Sequence, residues 1–404
     1  MSFEWLTVCA EGQTEGCVSP VQLAYLGVLL LGVVILAWAT WRARDLSTST
    51  IALLPVAIAI NIAVGAIAVA LRLPIYLDSI GTVLVGALAG PLAGALTGIL
   101  SNLLWALLPI PGGGSPIIAF FAPVAGVIGL MAGFWGARGV FRLRADDTRV
   151  GGFLALAAGV AAAGIAMLVV TYTIGFPELF PEDPDQAAAN QMQFVLIGLV
   201  IAVIGVAVAW LSGRTAFAFQ PGDTRIQPYL SAATAISGFV LVFAIVRLLF
   251  APGGYFSIVD GSDPEFLGGV DLSFLALDDP LGLVVAAVLG LVVGWLAWTW
   301  AHRGDNARLF PVWVGGLTTG LVAAAISAPI AAGVFGGVTG SGTDALVALF
   351  RSLGLSVFQS AFAQGLTSDP LDKTISYTIV AAILLALPLT VRAMFSRGET
   401  TISD

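Results

Sequence analysis

The sequence predicts an all-α fold, a polytopic membrane helix bundle. Of the 404 residues, 58% are hydrophobic and only 10% are charged, so the polar surface is too small to solvate a globule of this length. Apolar runs of about 20 residues, enough helix to cross roughly 30 Å of hydrocarbon, recur along the chain. Basic and acidic loops alternate between these runs, as successive membrane crossings require.

Nine apolar runs are interpreted directly as membrane helices. They lie at 21–39, 51–71, 117–136, 152–174, 194–211, 230–249, 281–300, 311–334 and 375–391. The leader before the first run contains three glutamates and no basic residue. It therefore lacks the positive segment of a cleavable signal peptide, and we expect the first run to be retained.

The arginines predict the orientation, because basic loops stay on the cytoplasmic side. They cluster in five loops, at 42–44, 138–149, 214–225, 303–308 and 392–397. The intervening loops at 178–185 and 260–279 carry acidic residues instead. We expect a multi-pass protein of the cell membrane with its N-terminus outside and its C-terminus in the cytoplasm.

Segment 78–108 must begin and end outside under this orientation, so it must enter the membrane and return. Proline disfavours helix in the residue before it, which places a hinge at Gly90-Pro91 and predicts two short helices joined by a tight turn. Gly86, Gly94 and Gly98 continue a four-residue repeat with Gly90. Such a stripe lets neighbouring helices approach closely.

Segment 343–366 is predicted to stay at the outer side. Its apolar pattern is interrupted by Asp344, Arg351, Gln359 and Gln364, which is typical of a helix at the interface or one that dips in and out. The alternative is a full extra crossing, which would reverse the C-terminus.

Polar residues within a membrane are costly, so they are the candidates for function. Asp78 and Ser79 open the hairpin, where they either cap a helix or contact a solute. Asn102 follows Ser101 on the returning helix and is expected to bond either a solute or a neighbouring helix. Trp105 shares a face with Ser101, as a solute contact or an interfacial anchor.

Segment 367–374 concentrates charge before the last run and contains Lys373, the single lysine of the chain. A compact ammonium here suggests contact with a ligand, together with Asp369 and Asp372. In the alternative, Asp369 caps a helix whose first residue is Pro370, and Asp372 merely pairs with Lys373. If the ligand role is correct, Lys373→Ala should abolish ligand retention in a folded protein.

The sequence contains few residues that could bind a metal or a cofactor or act in catalysis. Cys9 and Cys17 lie in the leader and His302 is the single histidine, so we predict no metal site, no cofactor and no catalytic residues. The glycine-rich stretch at 335–343 lacks the ending of a phosphate loop and is expected to be an outer loop. An acidic, lysine-poor composition resembles that of proteins from high-salt organisms such as haloarchaea.

Three motifs resemble the substrate-binding S component of energy-coupling factor (ECF) transporters. They are LPIYLDSIGTVLVGALAGPLAGALTGILSNLLWAL at 73–107, SAPIAAGVFGGVTGSGT at 327–343 and SDPLDKTISYTIVAAILLALP at 368–388. The resemblance implies a six-helix core that binds a vitamin, a vitamin precursor or a metal at its outer face. A membrane T component and two ATPase subunits would drive uptake.

The resemblance also implies a division of the chain. An extracellular leader and an extra helix occupy 1–48, the core occupies 49–145 and 307–395, an inserted four-helix segment occupies 146–306, and a cytoplasmic tail occupies 396–404. About five transmembrane helices are thus additional to the core. The helix at 51–71 would contact the T component through small residues at Ala59, Ala63, Ala66 and Ala70.

By the same resemblance, the substrate would sit among the outer ends of the core helices. The candidates there are Asp78, Ser79, Asn102, Trp105, Arg351, Asp369, Asp372 and Lys373. The chain would be an importer subunit for a vitamin-like molecule or a metal, with no enzymatic activity and no nucleic-acid partner. A ligand-sensing membrane protein and a stand-alone secondary carrier are the alternatives.

Overall fold

The computed structural model of the chain describes residues 20–141, 279–302, 310–352 and 355–398, together with short pieces between 161 and 277. These residues form helices and loops and contain no strand, which confirms the all-α class for the part described. Within the described residues, three helices are long and apolar enough to cross a membrane, at Thr48–Ala70, Pro116–Ala137 and Pro311–Phe335. The predicted leader and most of the runs at 152–174, 194–211 and 230–249 lie outside the described residues.

The helices with described bounds are numbered α1 to α10 in chain order. The first five are α1 (Pro20–Arg42), α2 (Thr48–Ala70), α3 (Ile80–Ala89), α4 (Pro91–Leu107) and α5 (Ala122–Ala137), with a 3₁₀ turn at Pro116–Phe121 before α5. The others are α6 (Asp279–His302), α7 (Phe310–Phe335), α8 (Asp344–Ser352), α9 (Val357–Ala386) and α10 (Leu389–Arg392). The runs predicted at 21–39, 51–71, 117–136, 281–300 and 311–334 are helical, as expected.

The prediction of the last membrane helix at 375–391 is wrong in its start. Helix α9 begins at Val357, with a capping box between Ser356 and Gln359, and continues for 30 residues through Pro370. Asp369 therefore lies within a helix and does not cap one. Segment 343–366 contains the nine-residue α8 and the first turns of α9. At about 14 Å, α8 is too short for a separate crossing.

The predicted hairpin is present, since α3 ends and α4 begins at the Gly90-Pro91 hinge, where Gly90 has a φ of 111°. Its glycines pack directly on α5. A Cβ built on Gly129 would lie 2.1 Å from the carbonyl carbon of Gly94, and one built on Gly98 would lie 2.2 Å from the carbonyl oxygen of Ala125. The glycine stripe is therefore a close helix contact, as expected of small residues in membrane bundles.

The hinge end of the hairpin is bonded to the segment after α9. The amide of Arg397 donates to the carbonyl of Leu88 at 2.9 Å, and Ser396 Oγ donates to the carbonyl of Ala89 at 3.0 Å. These carbonyls belong to the last turn of α3, where a helix supplies no donors of its own. The chain thus closes the end of α3 with residues that follow its last long helix.

The loop between α1 and α2 meets the hairpin at the same place. A Cβ on Gly90 would lie 3.0 Å from Arg397 Nε and 3.4 Å from Asp45 Oδ2. Burial raises the pKa of Asp45, and the charge of Arg397 opposes this rise. The hinge therefore lies at the end of the bundle that carries the arginine loops, opposite the loops at 71–79 and 336–343.

A second close crossing joins α7 and α9. Cβ atoms on Gly316 and Gly320 would lie 2.5 Å from Thr374 Cα and 2.4 Å from Pro370 Cα, respectively. The core between these helices and the hairpin includes Tyr377, which is fully buried and stacks on Phe141 at 5.4 Å between ring centroids. This packing fixes the face of α9 that carries Asp369 and Lys373.

Candidate functional site

A cavity of about 140 Å³ lies among α2, the two hairpin helices, α5, α7 and α9. It lies at the end of the bundle that carries the glycine-rich loop, because Thr339 and Gly340 of that loop line it. An engineered apolar cavity of roughly 150 Å³ holds a molecule the size of benzene. The space therefore suits a small solute or one compact part of a larger molecule.

The first free amides of α3 are bonded by a residue of another helix. Asn61, in the middle of α2, accepts from the amide of Gly81 at 2.6 Å and from that of Thr82 at 3.4 Å. Its Nδ2 donates to Thr82 Oγ1 at 2.8 Å and to Ser101 Oγ at 3.0 Å. Asn61 therefore joins α2 to both helices of the hairpin. Ser79 makes no side-chain capping bond.

Capping by Asn61 explains why Asp78 and Ser79 can face α9 instead. Lys373 Nζ donates to Ser79 Oγ at 2.9 Å and to Asp78 Oδ1 at 3.4 Å. It also donates to Asp372 Oδ2 on its own helix. Residues almost 300 positions apart thus meet in one cluster, which we call the Lys373 cluster and define as Asp78, Ser79, Asp369, Asp372 and Lys373.

The Lys373 cluster lies near the middle of the bundle. Lys373 precedes the end of α9 at Ala386 by about 13 residues, or about 20 Å of helix. Helix α3, which begins just after Ser79, spans about 15 Å to the hinge. Lys373 is 3% exposed, so its charge depends on partners inside the protein.

Asp372 holds the loop before α3 and does not line the cavity. Its carboxylate is 0% exposed, and its Oδ1 accepts from the amide of Leu77 at 2.7 Å. Leu77 has a φ of 52°, a left-handed conformation that is unusual for a residue with a side chain. The bond to Asp372 helps to hold this turn, so Asp372 is a structural partner of Lys373, as the alternative from the sequence proposed.

Asp369 lies one turn before Lys373 on α9 and does line the cavity. Ser327 of α7 donates to its Oδ2 at 3.0 Å. No hydrogen bond to its other oxygen, Oδ1, comes from the part of the chain that the structure describes. Asp369 is 4% exposed, so this acceptor is enclosed within the bundle.

The hairpin contributes a second unsatisfied acceptor. Asn102 lines the cavity, and its buried Oδ1 has no hydrogen-bond partner among the described residues. The indole nitrogen of Trp105 donates to the carbonyl of Gly112 at 2.7 Å, which fixes the ring against Gly65. Trp105 therefore offers the cavity its ring and not its N–H group.

The glycine-rich loop at 335–343 covers one end of the cavity and is held by hydrogen bonds. Asp344 accepts from the amides of Thr339 at 2.9 Å and Gly340 at 2.7 Å, while Tyr76 OH shares a hydrogen bond of 2.8 Å with Thr343 Oγ1. Burial raises the pKa of Asp344, although these bonds lower it, and burial also raises the pKa of Tyr76. The predicted outer loop at 335–343 thus forms part of the cavity wall.

Six of the eight residues predicted to bind substrate line this cavity, namely Asp78, Ser79, Asn102, Trp105, Asp369 and Lys373. Asp372 lies behind Lys373, and Arg351 is exposed on α8, where it donates to the carbonyl of Leu355 at 3.3 Å. Arg351 is therefore not brought to the cavity.

The sequence analysis did not select several other lining residues, including Tyr76, Ser327 and Phe121. Ser327 carries a recognisable signal, since its hydroxyl group stands in the otherwise apolar stretch at 321–335.

Comparison of the chain with protein-family models, with curated proteins and with solved structures gives no match in any of the three.

Proposed function

We propose that this chain is the substrate-binding subunit of an ECF-type importer and takes up a small, vitamin-like molecule from the outer side of the cell membrane. The observation that carries the proposal is the cavity at the end of the bundle that carries the glycine-rich loop, with the Lys373 cluster in its wall. Ionisable groups inside a membrane protein are costly to keep, and they mark solute pathways more often than they mark packing.

Unsatisfied acceptors support a binding role for the cavity. Asn102 Oδ1 has no protein donor among the described residues, although buried polar atoms are normally hydrogen-bonded, and within the same residues Asp369 accepts from Ser327 through Oδ2 alone. A bound solute would supply the missing donors. Aromatic rings of Trp105 and Phe121 would cover its apolar part, as is usual in small-molecule sites.

The proposed importer also contains a T component and two ATPase subunits. Ala59, Ala63 and Ala70 are exposed on the face of α2 that points away from the bundle, and Ala66 is partly exposed. Small residues on an outward face permit close approach of a T-component helix. Two ATPase subunits would then supply the energy, with the N-terminus of this chain outside and its C-terminus in the cytoplasm.

The test is affinity purification of the tagged chain from its native membranes in mild detergent. Mass spectrometry then identifies co-purifying proteins, and acid extraction releases any retained small molecule for analysis. We expect a T component, a pair of ATPases and one retained compound. Asn102→Leu should lose the compound and keep the partners, whereas Thr299→Val on α6, outside the cavity, should keep both.

Other outcomes separate the alternatives. Recovery of the chain alone, with uptake driven by an ion gradient in proteoliposomes, would establish a secondary carrier. Recovery with a signalling protein and without transport would establish a sensor. Either result contradicts the importer proposal.

A further inference from the structure

We infer that the solute is an organic cation, a compact apolar or aromatic molecule that carries a positively charged, hydrogen-bond-donating group. The inference rests on the proposed binding function and concerns the charge of the molecule that the cavity takes. It follows from how the four ionisable side chains of the Lys373 cluster share their bonds.

The charge of Lys373 is already neutralised by the protein. An ammonium has three N–H donors, and those of Lys373 point to Asp372, Ser79 and Asp78. Asp372 is fully buried, does not line the cavity, and lies within hydrogen-bond distance of the ammonium. Lys373 is therefore poorly placed to bind an anion, which the lone lysine in the sequence would by itself suggest.

Two carboxylates remain for the cavity. Asp78 is 43% exposed and lies 3.4 Å from Lys373, the longest of the lysine's three contacts. Asp369 is enclosed and bonded on one oxygen only, by the neutral hydroxyl of Ser327. Three carboxyl groups face one ammonium in the Lys373 cluster, which leaves an excess of negative charge at this wall, and a positively charged solute is the complement that the wall lacks.

The other residues that line the cavity also favour a cationic solute. Asn102 Oδ1 adds a buried acceptor that has no donor among the described residues. Trp105 presents its ring, because its N–H group is bonded to Gly112. Aromatic rings attract cations through their negative faces, and tryptophan does so most strongly. A cavity of about 140 Å³ limits the part of the solute inside it to roughly the size of one substituted ring.

Three probes with one ring and different charges test the inference. They are benzylammonium, benzyl alcohol and benzoate, titrated at pH 7 against the purified chain in detergent by calorimetry. We expect benzylammonium to bind most tightly, benzyl alcohol more weakly and benzoate least. Asp78→Asn should weaken benzylammonium about tenfold, as is typical for losing one charge-assisted bond, and should change benzyl alcohol by less than about threefold.

Asp45→Asn is the matched control, because it removes the same charge at the opposite end of the bundle. It should leave the affinities for all three probes unchanged. Tightest binding of benzoate, or an Asp78→Asn variant that binds benzylammonium as well as the wild type does, would overturn the cation inference and leave the binding function standing. Failure of all three probes to bind, with no compound retained on purification, would overturn both.

Discussion

Asn61 and Asn102 are the same residue type on neighbouring helices, but they differ in how far the protein satisfies their hydrogen-bonding groups. Asn61 bonds four groups of the hairpin, whereas the Oδ1 of Asn102 has no partner among the described residues. A buried group that loses its partner costs about 1–3 kcal/mol. Asn61→Leu should therefore lower the free energy of unfolding by about 2–4 kcal/mol, since it leaves several groups without a partner.

Asn102→Leu is the matched comparison and should leave the free energy of unfolding unchanged or raise it slightly. Replacing an unsatisfied buried amide by an apolar side chain of similar shape removes a cost and breaks no bond at Oδ1. Unfolding of both variants in detergent, followed by circular dichroism, measures the difference. Equal losses would contradict the assignment of Asn102 as a ligand contact.

The contacts within the Lys373 cluster predict that Lys373→Ala affects folding as well as ligand binding. The substitution leaves Asp372 buried without its cation, which costs about 3–5 kcal/mol in comparable buried pairs. We therefore expect loss of folding as well as loss of ligand, which differs from the expectation of a folded variant drawn from the sequence. The double variant Asp372→Asn with Lys373→Met should recover most of the stability, because it removes both charges together.

Thermal unfolding of the two single variants and the double variant measures this coupling. Stabilities that simply add would show that Asp372 and Lys373 do not depend on each other. The sequence predicted that these residues mattered, since charge is rare in the chain. It could not show which carboxylate balances the lysine, because that depends on Leu77, a residue 295 positions away in the chain.

Among the helices, α4 and α5 make a very close contact through glycine. Gly129→Ala would bring its Cβ within 2.1 Å of the backbone of Gly94, a distance that backbone atoms cannot accommodate without moving. Overpacking of this kind costs about 1–3 kcal/mol, and we expect a loss at the upper end of that range. Gly32→Ala on α1 has open space around the new methyl group and should be neutral or slightly stabilising.

Thermal melting of the two alanine variants in the same detergent distinguishes them. If Gly129→Ala were as stable as Gly32→Ala, the hairpin would not pack on α5 as described. The stripe was visible in the sequence because its glycines recur every four residues. Its partner helix was not, since packing of one glycine on another leaves no sequence pattern beyond small residues.

The start of α9 is the element that the sequence analysis placed wrongly. Asp369, Asp372 and Lys373 together with Pro370 have the composition of a helix start, and a charged stretch normally ends a membrane helix. Here Ser327 bonds Asp369, Ser79 bonds Lys373, and Asp372 pairs with Lys373 inside the bundle, so the helix continues through them. Tertiary partners thus overrode the local signal.

The whole molecule has two chemically distinct ends, which labelling can distinguish. Val338 is 69% exposed in the glycine-rich loop, and Ala43 is exposed in the loop between α1 and α2. In a background with Cys9 and Cys17 replaced by serine, Val338→Cys should react with an impermeant maleimide on intact cells. Ala43→Cys should react only after the membrane is permeabilised. Reaction of both from the same side would contradict the proposed orientation.

At this scale the sequence predicted the helical class of the molecule and one supersecondary element. Composition predicted the all-helical class, and the Gly90-Pro91 dipeptide predicted the hairpin. Asp78 and Lys373 lie 3.4 Å apart, in one pocket, as the placement of polar residues required. The cavity itself was not predictable, because its walls come from six helices whose mutual rotation is decided by side-chain packing.

The bonds from Ser396 and Arg397 to the end of α3 have a consequence for biosynthesis. The two partners in the Ser396 bond are 307 positions apart, so α3 leaves the ribosome long before the groups that complete it have been made. The carbonyls of Leu88 and Ala89 gain these hydrogen-bond donors after the remainder of the chain has been synthesised. Maturation of this core therefore follows translation, and a protease should cut the hairpin turn in nascent chains that stop before Ser396 and spare it in released ones.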